Sequence, residues 1–250
     1  MPRVVPSLIA LSLLLVFPAL SSAGELIVSA AASLTDAFSD IEPAFEEANP
    51  DVDVIMNFAS SGSLYHQIEQ GAPADVYASA NPRWMDRAVA NGFADTAAVR
   101  IFARNALVLA VPAGNPAGVA GMEDLTDNRV AMIGIGTPQT VPAGQYAKSA
   151  LTAAGLYETL RGKYIFGESV RQVLDYLARG EVDCGFVYRT DAVNAGDSVH
   201  ILAEIPLENP VTYPIAVLFG TTKPAAERFV DFVTSERGTE LLEARGFKRP

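Results

Sequence analysis

A short apolar run that stops at a small or hydroxyl residue and passes at once into a helical pattern recurs along this chain. It limits the fold more than any other feature. The run at residues 26–30 leads to Ser33, and Leu34, Ala37, Phe38, Ile41 and Phe45 then follow at helical spacing. Val52, Val54, Met56 and Phe58 alternate as a strand, and Ser60 and Ser61 precede a helix carrying Leu64 and Ile68. The unit returns at residues 75–80 before Pro82, at 130–135 before Pro142, and at 164–166 before Ser169. Further strands are expected over 105–111, 183–188, 199–203 and 213–219, with helices around Phe229, Phe232, Leu241 and Leu242. Units of this kind build an α/β fold with mostly parallel sheets. Pro43 falls inside the first helical pattern and is expected to kink or divide it.

The chain opens on Arg3, an apolar stretch over residues 8–20 and the small residues Ser21, Ser22 and Ala23, which reads as a secretory signal peptide cleaved near Ala23. Removing residues 1–23 takes one arginine from a net charge of −11, giving −12. An acidic chain of this kind is unsuited to nucleic acid, which needs clustered Lys and Arg. Cys184 is the single cysteine, so no internal disulfide is possible and no cysteine stands at the cleavage point to carry a lipid anchor. It is expected as a small buried hydrophobe. The two histidines, His66 and His200, lack metal spacing. The expectation is an exported monomer without a cofactor.

No enzyme motif stands out: there is no G-x-S-x-G elbow, no Walker loop and no H-E-x-x-H. A hydrolase using Ser33 or Ser61 as nucleophile would lack a histidine base near either motif. What recurs is a helix start after a strand end, at Ser33, Ser60-Ser61, Ala143 and Ser169-Val170. Unpaired N–H groups and the partial positive charge of a helix N-terminus make such junctions seats for anions. Ser33 is expected to cap its own helix, since Ser-Leu-Thr-Asp resembles a capping box, with Asp36 as a dipole-favoured charge in the first turn. A fully deprotonated oxyanion needs donors only, whereas hydrogen phosphate would need a buried acceptor.

Six blocks, in order, resemble the periplasmic molybdate-binding proteins of ATP-driven importers: AAASLTDAF (30–38), NFASSGSL (57–64), GAPADVYASA (71–80), VPAGQYAKSAL (141–151), ESVRQVL (168–174) and GFVYRTDA (185–192). The resemblance covers essentially the whole mature chain. It implies a two-lobed, type II periplasmic-binding-protein fold, with residues 24–105 plus 216–250 in one lobe and 106–215 in the other. It implies an oxyanion in the cleft between them, held by Ser33 and Ser61, by the backbone N–H groups of Ala143 and Val170, and by the hydroxyl of Tyr188. Molybdate, and tungstate with it, is the implied ligand, and a membrane permease the implied partner. Sulfate or another tetrahedral oxyanion remains an alternative, because donor type alone does not set size. The chain departs from the family at Gly62, where some relatives carry another serine, and at Ser169, where a relative has Asp.

Overall fold

Backbone pairing gathers the apolar runs into two five-stranded sheets. The computed structural model describes residues 24–250, and the expected leader lies outside the described residues. The strands are β1 (Gly24–Ala31), β2 (Val52–Ala59), β3 (Val76–Ala78), β4 (Arg100–Asn105), β5 (Leu107–Pro112), β6 (Ile133–Gly136), β7 (Tyr164–Gly167), β8 (Cys184–Tyr188), β9 (Val199–Glu204) and β10 (Val211–Val217). The α-helices are α1 (Thr35–Ala48), α2 (Ser61–Glu69), α3 (Pro82–Ala90), α4 (Pro142–Ala153), α5 (Val170–Ala178), α6 (Arg189–Asn194), α7 (Pro224–Thr234) and α8 (Glu236–Ala244).

The sheets have the orders β2-β1-β3-β10-β4 and β7-β6-β8-β5-β9. In the first, β1 pairs in parallel with β2 and β3, and β10 runs antiparallel to β3 and β4. In the second, β6 pairs in parallel with β7 and β8, and β5 runs antiparallel to β8 and β9. Both sheets are therefore mostly parallel, each with one reversed strand in the same place. Those reversed strands are where the chain changes sheets: β4 passes into β5 across Ala106, and β9 leads over to β10.

Two expectations about these crossings are corrected. The strand expected over 105–111 starts later, as β5 at Leu107, because Asn105 ends β4 and turns its side-chain carbonyl back to accept the Ala106 N–H at 2.9 Å. Residues before the turn belong to one sheet and residues after it to the other. The return crossing precedes Val211, earlier than the expected 216, because β10 from Val211 onward is paired to β4.

Pro43 does not divide α1, which runs unbroken through it. Both Pro43 and Ser39, whose carbonyl loses its helical partner, lie on the exposed face, where water can serve that carbonyl. Ile41 and Phe45, fully buried on the opposite face, hold the helix to the core. Phe38 and Phe45 meet Phe229 of α7 edge to face, at centroid distances of 6.0 and 5.1 Å, the arrangement aromatic quadrupoles favour. Burying each ring stabilises the fold by about 1.5–3 kcal/mol. Trp84 and Tyr65 form a second, smaller core between α2 and α3. Cys184 is buried as expected, and burial pushes its thiol up to about 12.

Candidate functional site

The parallel strands of both sheets deliver their carboxyl ends to one cavity, the place where open α/β sheets take their ligands. Ala31, Ala32 and Ser33 line it after β1, Ser60 and Ser61 after β2, and Ala80 after β3. From the other sheet come Val141, Pro142 and Ala143 at the start of α4, Val170 at the start of α5, and Tyr188 at the end of β8. Ser33, Ser61, Ala143, Val170 and Tyr188 thus lie around one space, though they come from five separate stretches of sequence. About 10 Å³ of that space admits the centre of a water-sized sphere, close to what a single water requires. The two halves are drawn together on it.

Ser33 does not cap α1. Ala32–Leu34 form one 3-10 turn, and α1 starts at Thr35, whose Oγ1 donates to the Ala32 carbonyl at 2.7 Å. The tight turn moves the helix start past Ser33 and makes Asp36 its second residue. The Ser33 hydroxyl is left pointing inward, 2% exposed, and shares a hydrogen bond of 3.0 Å with the Tyr213 hydroxyl. In α2 the cap is Ser60, whose Oγ accepts the Ser63 N–H at 3.4 Å. That frees Ser61, fully buried, whose Oγ accepts the Ala80 N–H at 3.0 Å. A hydroxyl that accepts from an amide keeps its own proton to donate. Tyr77 holds the same residue from behind, its hydroxyl donating to the Ser61 carbonyl at 2.8 Å.

The helix starts supply amide donors. Pro142 occupies the first position of α4, where its missing N–H costs nothing, so Ala143 presents the first amide. Ser169 caps α5, its Oγ accepting the Gln172 N–H at 3.2 Å, and Val170 follows as the first helical residue. Among the described residues, the N–H groups of Ser61, Ala143 and Val170 take no protein acceptor, as the first turn of a helix dictates. Gly144 lets α4 start this close to β6: a Cβ there would lie 1.8 Å from the Gly136 carbonyl oxygen.

Tyr188 closes the cavity. Its hydroxyl donates to the Ala80 carbonyl at 3.2 Å, across from one half to the other. Burial, with the Tyr213 ring nearby, raises its ionisation well above the ordinary tyrosine value, so it remains a donor. Other bonds also cross between the halves, that from Asn105 Nδ2 to Thr190 Oγ1 at 2.9 Å among them. The Gly62 N–H donates to the Thr140 carbonyl at 2.9 Å, Asn81 Nδ2 to Gln145 Oε1 at 2.7 Å, and Arg171 Nη2 to Asp36 Oδ2 at 2.6 Å. Among the described residues, no carboxylate, lysine or arginine lines the cavity. The site is therefore a set of neutral O–H and N–H donors around a buried point. Neither serine has a histidine at hand; His66 is spent on Glu69, at 3.0 Å on the surface.

The chain belongs to the family of bacterial extracellular solute-binding proteins, whose model matches residues 26–248. It is similar to the molybdate-binding protein ModA of Escherichia coli (strain K12), with 37% identity over 244 residues that span 95% of this chain and 94% of the relative. The fold is similar to the periplasmic molybdate-binding protein of Azotobacter vinelandii, with a TM-score of 0.78 and 25% identity over 90% of this chain and 99% of that one. The sulfate-binding protein SubI of Mycobacterium tuberculosis shares the fold, with a TM-score of 0.77 at 21% identity, covering 90% and 86% of the two chains.

Three contributors escape sequence reading. Ala80 bonds both Ser61 and Tyr188 through its backbone, and alanine carries no signal for that role. Tyr213 reaches Ser33 from a strand 180 residues away. Thr140 meets Gly62 through backbone alone.

Proposed function

We propose that this chain captures molybdate in the periplasm and delivers it to an ATP-driven importer. The observation that carries the reading is the closed, buried cavity lined by neutral donors from both halves, in a chain similar over nearly its whole length to a molybdate-binding protein. Ser33, Ser61 and Tyr188 would donate O–H groups to the oxyanion, and Ala143 and Val170 would donate N–H groups. A buried dianion is prohibitively costly without partners. Charge-assisted hydrogen bonds, about twice as strong as neutral ones, offset that cost, and the helix starts add favourable dipoles. Because the donors are neutral, release does not require separating a salt bridge.

A cavity lined by neutral donors, with no carboxylate among the described lining residues, suits an oxyanion deprotonated at every oxygen. Hydrogen phosphate would bring a proton that a buried carboxylate receives best, and the lining provides none. Tungstate has the same charge and shape and would bind alike. The two lobes, residues 24–105 with the C-terminal strand and helices, and the segment between the crossings, would part to admit the anion and close on it. Occupancy would then favour the closed form that a permease recognises, by differential contact. The mature chain would act as a monomer without an anchor.

A thermal-shift panel tests this reading. A ligand that binds only the folded form stabilises it by RT ln(1 + [L]/Kd). Molybdate and tungstate are expected to raise the melting temperature at concentrations where sulfate and phosphate do not. A shift with sulfate alone would replace the assignment.

A further inference from the structure

Behind the cavity, three charged side chains link the same helix starts that face it. Asp36 lies one turn beyond Ser33 in α1, Arg171 directly follows Val170 in α5, and Asp191 lies one turn beyond Tyr188 in α6. The Arg171 guanidinium donates through Nη2 to Asp36 Oδ2 at 2.6 Å, and its Nε stands 3.0 Å from Asp191 Oδ1, out of line for a hydrogen bond. Asp191 has no exposed side-chain surface, whereas Asp36 and Arg171 are each about one-third exposed or less. Arg171 and Asp191 sit on the second sheet's helices, and Asp36 sits on the first's. One guanidinium therefore has a neighbour in its own half and a second partner across the boundary between the halves.

We infer that Arg171 is a positioning residue that ties closure of the halves to occupancy of the cavity, through its bond to Asp36. Three features support the assignment. The short bond is the one ion pair that crosses between the halves among the described residues, while the remaining crossing bonds join neutral groups. Buried Asp191 flanks the guanidinium from behind, so closing orders few new rotamers on that side. The backbone of the adjacent Val170 faces the cavity, so α5 carries both the anion-facing N–H and the closing cation. Opening would leave Asp191 as Arg171's remaining partner, and closure restores Asp36. This inference rests on the oxyanion-binding reading given above.

Asp36→Asn tests it, since the change removes the carboxylate and leaves the Arg171–Asp191 pair and the cavity lining in place. In calorimetric titration with molybdate at low ionic strength, Asp36→Asn is expected to weaken binding by about three- to tenfold, the range of a partly exposed ion pair with a short bond. The change should fall mainly on the dissociation rate and shrink at high salt. Asp36→Glu, which can still reach the guanidinium, is expected to restore most of the affinity. Equal affinity and dissociation rate in wild type and Asp36→Asn would overturn the inference. So would an equal loss in Asp36→Glu, since that variant keeps a carboxylate within reach of the guanidinium. Amide hydrogen exchange of the ligand-free protein at Gln172 and Val173, whose N–H groups are bonded to Ser169 in the first turn of α5, gives a readout independent of the anion. Asp36→Asn should exchange faster there and Asp36→Glu should not, and equal rates refute the clasp. A wild-type protein that binds none of molybdate, tungstate and sulfate would defeat the functional reading, while the exchange experiment would still decide the role of Arg171.

Discussion

Replacing Tyr188 with phenylalanine separates a donor that serves a ligand from one that serves the fold. The ring is fully buried, with the Tyr213 ring at a centroid distance of 5.9 Å, and phenylalanine keeps that packing. The hydroxyl's bond to Ala80 is 3.2 Å long, well beyond the 2.7–2.8 Å at which O–H···O bonds cluster. Redirecting it toward an anion therefore gives up little. A hydrogen bond to a charged acceptor contributes about 1.5–3 kcal/mol, which at about 1.4 kcal/mol per decade is a roughly 10- to 100-fold loss of molybdate affinity. The ligand-free protein loses only the long bond, a cost of at most about 1 kcal/mol. Titration calorimetry on both proteins, beside scanning calorimetry without ligand, gives the two numbers. Affinity within twofold of wild type would refute the donor role. A loss of ligand-free stability as large as the loss of binding energy would make Tyr188 a structural residue.

Other substitutions probe the remaining parts. Ser33→Ala should weaken molybdate binding by about 5- to 50-fold while leaving Tyr213 a partner in Asn105 Nδ2 at 3.2 Å; unchanged affinity would show that the hydroxyl serves Tyr213 alone. Gly62→Ala would set a Cβ 2.6 Å from the Thr140 backbone and from Trp84 Cζ2. The Trp84 ring edge can tilt but the Thr140 backbone must retreat, so the closed form should lose about 1–3 kcal/mol, measured as weaker binding at near-normal ligand-free stability. Burial pushes the Asp191 carboxyl from an ordinary 3.8 up to about 7, with Arg171 opposing and Asp36 assisting the shift. Between those values the folded chain holds a proton that the unfolded chain has lost, so this group's stabilising contribution falls as pH rises from about 4 to about 7. The melting temperature of Asp191→Asn should therefore lack that decline, so the wild-type pH profile minus the variant's should fall between about pH 4 and 7; a flat difference would refute the raised carboxyl.

The alternation of apolar runs and helical patterns was enough to announce an α/β fold with mostly parallel sheets, because side-chain period and junction chemistry are local. The division into two sheets was not local. It depends on Asn105 turning the chain at Ala106, and a polar residue at the end of an apolar run reads equally well as its continuation. Pro43 misled because a proline's cost depends on which face it occupies, and an exposed carbonyl opposite it can be hydrated. The recurring helix starts at Ser61, Ala143 and Val170 were legible from residue type, since caps and N-terminal prolines advertise themselves. Ser33 was legible as a hydroxyl at a strand end but not as an uncapped one, because the 3-10 turn that displaces the helix start leaves no mark in the sequence. Asp191 gave no sign of burial, since its helix is short and its partner Arg171 lies in another.

Calorimetric titration of the mature chain with molybdate, in the presence and absence of excess sulfate, tests the central claim most directly. One molybdate is expected to bind per chain, with a dissociation constant that sulfate in excess leaves nearly unchanged. Tight sulfate binding with no heat from molybdate would contradict it.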